Sequence, residues 1–327
     1  MAATISKTFF PNDTAVTQLL KAYVILSIGV AANPLAAAVL GRIGDLYGRS
    51  RTLTISLIGT AIPSVVIALT PGYETIGMLS TLILLIYRMA VCMFVSSGTD
   101  GIRLFIFEHI GEKRQCLGNG LVVMATQIGV YLASLSVLFF ASSDYPSWLW
   151  RGAFAVGAML GFLVILIRRY LEVDKIEEDL DKTDKYYDYK NVRLWSILKE
   201  HVVLFMLGTV LAGCIGASYQ LNIIFLGTYI FKILGIVEQN TMQIYVSKAI
   251  VIYMFTAIGA GALADWWGRK FVASIGYIGI VGCTVVNILL VERGEFSHLA
   301  FYGNTASLAL LLMPSFAILK QSIPKYI

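Results

Sequence analysis

Charged residues are what this sequence has little of. Only 14% of its 327 residues are charged, whereas 57% are hydrophobic and the mean hydropathy is +0.76. A soluble domain carries roughly a quarter charged residues and needs them to cover its surface. The composition therefore excludes an ordinary soluble protein.

Histidine and cysteine are also scarce, and their positions indicate no catalytic or metal centre. The three histidines, His109, His201 and His298, lie far apart, and the four cysteines show no C-x-x-C spacing. No Ser-His-Asp or paired-carboxylate arrangement stands out either. We therefore expect no enzyme activity, no metal site and no organic cofactor.

Long apolar runs dominate the chain instead. About 20 apolar residues in an α-helix cross a hydrocarbon core of about 30 Å, and these runs lack the alternation that is typical of barrel strands. The sequence thus predicts an all-α, polytopic membrane protein in contact with the lipid bilayer. Nine spans are predicted, at residues 18–40, 52–71, 78–105, 119–141, 149–168, 202–232, 242–263, 271–291 and 298–317. The sixth run is long enough to be broken near Gly227.

Basic residues are concentrated in alternate connections between these spans. The other set of connections contains Arg293 as its single basic residue. Because basic loops stay in the cytoplasm, we expect a cytoplasmic C-terminus and an N-terminus outside. The net charge of +5 is then a signal of topology, and no nucleic-acid partner is expected.

One short pattern, G-x-x-x-D-x-x-G-R, occurs twice, each time between two predicted spans. A single copy is typical of an ordinary basic turn. Two copies, one on each side of the polar stretch 169–199, indicate two related halves, 1–168 and 200–327, joined by that linker. The fixed positions of the pattern are Gly41, Asp45, Gly48, Arg49, Gly261, Asp265, Gly268 and Arg269.

These loops resemble the signature of the major facilitator superfamily. The segments PGYETIG, FEHIGEKRQCLGNG and WLWRGAFAVG are most similar to its metabolite:proton symporter family, which includes proline/glycine-betaine transporters. The resemblance implies two pseudo-symmetric halves that move a small solute across a bacterial inner membrane. Proline or betaine is the first substrate class and organic acids the second, with protons as co-transported ions.

The resemblance also implies roles for residues near the paired loops. Glu108 and Arg114 match the family's cytoplasmic gate network, although a solvated turn is the alternative. Trp150 and Arg151 match a family W-R pair, and an interfacial anchor would explain the tryptophan.

The sequence departs from the family at two places inside spans. Asn33 precedes Pro34 where the family has arginine, and Ser96-Ser97-Gly98 stands where the family has Gly-Gly-Glu. With both charges gone, no titratable carboxylate for proton coupling is obvious.

Family members have twelve spans, and the resemblance starts before the second and stops after the tenth. We therefore expect the first, eleventh and twelfth helices to be missing. The alternative to a transporter is a remnant or fragment that transports nothing.

Several polar side chains inside predicted spans are candidates for substrate contact or coupling. Arg88 lies near the middle of the third span, where a charge is costly. It could meet a substrate carboxylate or pair with a neighbouring helix. Asp100 and Arg103 are three residues apart and can neutralise each other. Aromatic and amide groups that suit a zwitterion, or that could instead hold helices together, are Gln127, Tyr131, Tyr219 and Asn222.

Overall fold

The computed structural model describes residues 9–11, 14–47, 49–140, 149–170 and 202–322, and these ranges contain helices and no strand. We number the helices in chain order and leave single turns unnumbered. They are α1 (Ala15–Ala31), α2 (Asn33–Tyr47), α3 (Arg49–Leu69), α4 (Tyr73–Ile76), α5 (Met78–His109), α6 (Gln115–Phe140), α7 (Trp150–Tyr170), α8 (Val202–Tyr219), α9 (Gln239–Trp267), α10 (Arg269–Glu292) and α11 (His298–Ser322). A 3₁₀ turn, Glu112–Arg114, leads into α6.

Eight stretches of the described chain are long and apolar enough to cross a membrane, one fewer than the nine predicted. The difference is the sixth predicted span, 202–232, in which the α-helix ends at Tyr219. The backbone continues as π-helix over Gln220–Phe225 and Tyr229–Ile233, with one α-helical turn between them. Wider π-helical turns are rare and tend to occur at functional sites. The apolar α-helix of this span is therefore shorter than its sequence suggests.

The first predicted span, 18–40, contains a break. Helix α1 ends at Ala31 and α2 begins at Asn33, directly before Pro34. Proline has no N–H to donate and its ring clashes with the carbonyl of the preceding turn. The N–H of Ala32 instead donates to the carbonyl groups of Gly29 and Val30. Both helices together still form one membrane-length stretch, Tyr23–Gly44.

Helix contacts divide the chain into two compact units. Unit 1 comprises residues 1–105 and 136–191, and unit 2 comprises 106–135 and 192–327. Most of α6 therefore packs with the C-terminal helices. The halves 1–168 and 200–327 stay a prediction, and nearly all of the predicted linker 169–199 lies outside the described residues.

Unit 1 is organised around an aromatic cluster. Trp150 is only 1% exposed and packs with Phe9, Ile67 and Leu84. Its ring centroid lies 6.0 Å from that of Phe9. The prediction that Trp150 is an interfacial anchor is therefore wrong, because the indole is enclosed where α3 and α7 pack together.

Arg151 extends this cluster with a polar contact. Its Nη2 atom donates to the carbonyl oxygen of Thr70 at 3.0 Å, and its guanidinium lies 5.6 Å from the centroid of the Trp150 ring. Both contacts provide a partner for a cation that would be costly to leave alone beside lipid.

Unit 2 relies on close contact between helix backbones. A side chain at Gly276 in α10 would overlap the backbone of Leu310 and Leu311 in α11, and one at Gly279 would overlap Ser307. Small residues at helix interfaces allow such approach and are the main source of packing energy in membranes. The tight α10–α11 contact thus depends on these two glycines.

Replacing Trp150 by alanine should destabilise unit 1. Removing a large buried aromatic side chain costs about 3–5 kcal/mol in protein cores, and the measurement is the thermal unfolding of the purified protein in detergent. Phe162→Ala on the same helix is the matched control, since Phe162 is 46% exposed and its loss should cost less than about 0.5 kcal/mol. Equal destabilisation by the two variants would contradict the aromatic core.

Candidate functional site

The second copy of the repeated pattern holds the start of helix α6. Asp265, near the end of α9, accepts hydrogen bonds from the backbone N–H of Cys116 at 3.1 Å and of Leu117 at 2.8 Å. The first N–H groups of a helix have no partner within it, and a negative charge there is stabilised by the helix dipole. Asp265 thus acts as a cap supplied by a different helix.

Small residues on α9 bring this carboxylate close to α6. Gly261 lies one turn before Asp265, and a side chain there would overlap the backbone of Cys116. Ala257 lies one turn before Gly261 in α9. A Cβ at Gly120 in α6 would lie 2.7 Å from the carbonyl oxygen of Ala257. Glycine is therefore required on both helices for the carboxylate to reach its donors.

The last two positions of the pattern complete the contact. Gly268 has a φ of +104°, which side-chain-bearing residues rarely adopt, and this turn starts α10 directly after α9. Arg269 then donates from Nη2 to Oε1 of Gln115 at 3.4 Å, and Nε2 of Gln115 donates to the carbonyl oxygen of Phe107 at 3.4 Å. We call this set the clamp; its members are Gly261, Asp265, Gly268 and Arg269 with Gln115, Cys116 and Leu117.

The first copy of the pattern is less fully described. Gly41 is half-buried in α2, whereas Gly48 and the side chains of Asp45 and Arg49 lie outside the described residues. The side chain of Glu108 lies outside them too, and Arg114 is exposed at the end of the 3₁₀ turn. The gate roles of these residues stay predictions.

The same small-residue spacing has different surroundings in the two units. In unit 2, Ala257 and Gly261 lie against the backbone of α6. In unit 1, Ala37 and Gly41 precede Asp45 by the same numbers of residues as Ala257 and Gly261 precede Asp265. Ala37 and Gly41 line a cavity of about 370 Å³. The duplicated sequence thus gives one filled contact and one open cavity.

Both departures from the family pattern meet in that cavity. Asn33 and Pro34 line it from α2, and Ser96 and Ser97 line it from α5. The side-chain oxygen of Asn33 is buried and has no hydrogen-bond partner among the described residues. Both segments in which the sequence departs from the resembled family therefore contribute walls to one cavity.

Asp100 lines the same cavity and is paired with Arg103. Nη1 of Arg103 lies 3.0 Å from Oδ1 of Asp100, so the mutual neutralisation predicted from their spacing is confirmed. Arg88 is half-buried on the same helix, and it has no hydrogen-bond or ion-pair partner within the described ranges.

Two candidates that are distant in sequence meet inside unit 2. Nε2 of Gln127 donates to the hydroxyl oxygen of Tyr219 at 3.4 Å, and the ring of Tyr219 packs edge-on against Tyr253 with centroids 5.9 Å apart. Oε1 of Gln127 is buried without a hydrogen-bond partner in the described part of the chain. Tyr131 is half-buried one turn after Gln127, and the side chain of Asn222 lies outside the described residues.

The sequence did not point to the polar contacts that flank this cluster. Ser134 in α6 and Ser247 in α9 share a hydrogen bond of 2.7 Å, and Gln243 donates to Ser134 at 3.0 Å. At the other end, Nδ2 of Asn119 donates to the carbonyl oxygen of Met313 in α11 at 3.2 Å. The helical spacing of positions 116, 120, 123, 127 and 134 places them on one face of α6. That spacing is the feature of the sequence that could have indicated which face of α6 makes these contacts.

Comparison with known proteins gives the family of the chain. Residues 2–325 match the Major Facilitator Superfamily. A putative proline/betaine transporter of Staphylococcus aureus is 26% identical over 293 residues, which cover 88% of this chain and 62% of the relative. The inner membrane metabolite transport protein YhjE of Escherichia coli is 26% identical over 269 residues, covering 80% and 60%. The proline/betaine transporter of Salmonella typhimurium is 25% identical over 339 residues, covering 99% and 66%.

The chain therefore spans between 60% and 66% of the length of these three relatives. Among solved structures, the partially occluded inward-open xylose transporter XylE of E. coli superimposes with a TM-score of 0.67 at 16% identity, covering all of this chain and 82% of XylE. That likeness confirms the predicted fold class. The family match confirms the predicted resemblance and, since the family consists of transport proteins, the expectation that the chain is not an enzyme.

Replacing Asp265 by alanine should expose the start of α6. Loss of a capping side chain costs about 0.5–2 kcal/mol, so hydrogen exchange at the amides of Cys116 and Leu117 should accelerate roughly 2- to 30-fold. Asp265→Asn, which keeps one acceptor oxygen, should have a smaller effect. Asp100→Ala in unit 1 is the control and should leave both amides unchanged. Unaltered exchange in Asp265→Ala would contradict the cap.

Proposed function

The chain belongs to the major facilitator superfamily, and on that premise we propose that it is a secondary transporter of a small solute. It carries the solute across a bacterial inner membrane by alternating access, with its basic connections and C-terminus in the cytoplasm and its N-terminus outside. The names of the relatives, which describe proline/betaine transport and metabolite transport, support this class of activity.

The clamp is the observation that carries the proposal. It joins the start of α6, which belongs to the predicted half 1–168, to the end of α9, which belongs to the predicted half 200–327. Contacts between two bodies that rock against each other must break when that end of the molecule opens. The clamp therefore stabilises one of two states, and the paired loops are the latches of the transport cycle.

The first copy of the pattern works in the same way in this proposal. Ala37 and Gly41 offer the same small-residue surface as Ala257 and Gly261, and they line an open cavity. A helix start held there by Asp45 would be the equivalent of α6 held by Asp265. Asp45 and Arg49 are thus assigned to a second latch.

The substrate proposed is a zwitterion such as proline or betaine, with organic acids as the second class. Gln127, Tyr219 and Tyr253 place an amide and two aromatic rings together in unit 2. An amide can bind a carboxylate, and aromatic faces attract an onium group. The unpartnered Oε1 of Gln127 is an acceptor that suits the ammonium N–H of a zwitterion such as proline, and it supports a ligand contact over simple helix packing, because a packing amide would normally have both groups bonded.

The family resemblance implies proton coupling as well as solute transport, and proton coupling has the weaker support. Asp100 is paired with Arg103, and Asp265 caps α6, so we assign the proton step to neither of them. Neutral residues, Asn33 and Ser96-Ser97, stand in the unit 1 cavity at the segments that depart from the family pattern, and they favour the alternative that the chain is a remnant that transports nothing. Uptake measurements separate the two readings.

We expect saturable uptake of labelled proline or betaine in a bacterial strain that lacks its own compatible-solute transporters and expresses this chain. A second strain expresses a chimera in which the flanking segments of the Salmonella relative, from outside its matched region, are joined to the chain. Uptake by the chimera alone would favour the remnant. Inserted protein without uptake in either strain would contradict the proposed substrate class.

In whichever form transports, Asp45→Asn, Arg49→Gln and Asp265→Asn should lower the transport rate and leave membrane insertion intact. A latch contribution of one to two kcal/mol shifts a two-state population by a factor of about 5–30. Phe162→Ala, on the exposed side of α7, is the control with unchanged uptake. Wild-type uptake in all three latch variants would contradict the latch.

A further inference from the structure

An exposed aromatic group stands next to the clamp and is not used by it. Trp266 is 80% exposed, Trp267 is 55% exposed and Phe271 is 57% exposed. The ring of Trp267 lies between the other two: its centroid is 6.3 Å from that of Trp266 and 6.4 Å from that of Phe271. In a membrane-spanning chain, exposed aromatic side chains of this kind meet lipid or a partner.

The position of these rings in the chain fixes their depth in the membrane. One membrane-length stretch ends at Trp267 and the next begins at Arg269, so the rings lie where two spans meet the same interface. Tryptophan prefers that headgroup level because its ring is apolar and its N–H is polar. The aromatic group therefore faces the headgroup region rather than the middle of the bilayer.

Basic residues lie at the same end of unit 2 as this aromatic group. Lys270 is exposed in the first turn of α10. The 3₁₀ turn that carries exposed Lys113 and Arg114 packs against α9. The hydrogen bond from Arg269 to Gln115 at 3.4 Å places this turn and the start of α10 at the same end of unit 2. Three exposed basic residues thus share one end of unit 2 with the exposed rings.

The acidic residues nearby do not cancel this charge. The carboxylate of Asp265 is directed at the N–H groups of Cys116 and Leu117, where the helix dipole compensates it. Glu112 shares the 3₁₀ turn, and its side chain lies outside the described residues. With Arg269 included, four basic residues stand against two acidic ones in these two segments.

We propose that Trp266, Trp267, Phe271, Lys270, Lys113 and Arg114 form a binding surface for the headgroup of an anionic phospholipid. The rings lie among the glycerol and upper acyl groups, and the ammonium and guanidinium groups bind the phosphate. Lysine and arginine near an anionic leaflet each contribute about 1 kcal/mol, and this end of the molecule is the one whose charge predicts a cytoplasmic location. The inference is independent of which solute the chain carries and concerns the lipid beside the clamp.

Quenching of tryptophan fluorescence by brominated lipids tests the surface directly. The full chain is placed in nanodiscs of phosphatidylcholine that contain a minor fraction of either brominated phosphatidylglycerol or brominated phosphatidylcholine. The difference between the wild type and Trp266→Phe/Trp267→Phe isolates the signal of these two rings. We expect brominated phosphatidylglycerol to quench them severalfold more than brominated phosphatidylcholine.

Charge-removal variants identify the cause of that preference. Each of Lys113→Gln, Arg114→Gln and Lys270→Gln should reduce the preference for phosphatidylglycerol by up to about fivefold, and the triple variant should abolish it. Arg293→Gln is the matched control, because Arg293 is exposed at the opposite end of α10 and should leave the preference unchanged.

Three outcomes would overturn the proposal. Equal quenching by the two lipids in the wild type would show that the surface does not select charge. An unchanged preference in the triple variant would place the anionic lipid elsewhere. A chain whose molecular mass in nanodiscs falls from dimer to monomer in Trp266→Phe/Trp267→Phe would show that a second copy covers the rings.

Discussion

The carboxylate of Asp265 at the start of α6 is the interaction on which the arrangement of unit 2 depends. A helix that begins at a membrane surface has several N–H groups without partners, and water is less available there than in a soluble protein. Asp265 satisfies two of them at once. Because the cap comes from α9, it also fixes where α6 lies against that helix. The glycines at 120 and 261 then follow as requirements, since any side chain would keep the two backbones too far apart.

The rest of the α6–α9 contact continues from that cap. Packing at Val123, Tyr253 and Ala257 is followed along α6 by the Ser134–Ser247 hydrogen bond to α9 and by the Gln127–Tyr219 hydrogen bond, which reaches α8. In a bilayer, apolar side chains gain little by leaving lipid for protein, so close backbone contact and interhelical hydrogen bonds must hold helices together. Gln127 therefore lies on the same helix that the clamp positions.

The two copies of the repeated pattern present similar small-residue surfaces that have different neighbours. The aspartate loops and the small residues one and two turns before them are alike in both copies, yet α6 fills one surface and a cavity of about 370 Å³ borders the other. Asn33, Ser96 and Ser97 give that cavity neutral polar walls, next to the ion pair of Asp100 with Arg103. The two copies of the family's pattern thus carry the same residue types, but in this chain one lies against α6 and the other borders a cavity.

The sequence by itself determined the membrane class, the approximate position of nearly every helix and the repeat of the loop pattern. Hydropathy, the length of apolar runs and a repeated pattern can all be read from the sequence without knowledge of which helices contact each other. Tertiary structure alone decided that Asp265 caps α6, that Gln127 meets Tyr219 across 92 positions, that Trp150 is enclosed and that Asn33 and Ser97 share one cavity. It also replaced the end of the sixth predicted span by π-helical turns. These facts depend on which helix faces contact each other, and in a chain that is apolar on nearly all faces the periodicity that would mark those contacts is weak.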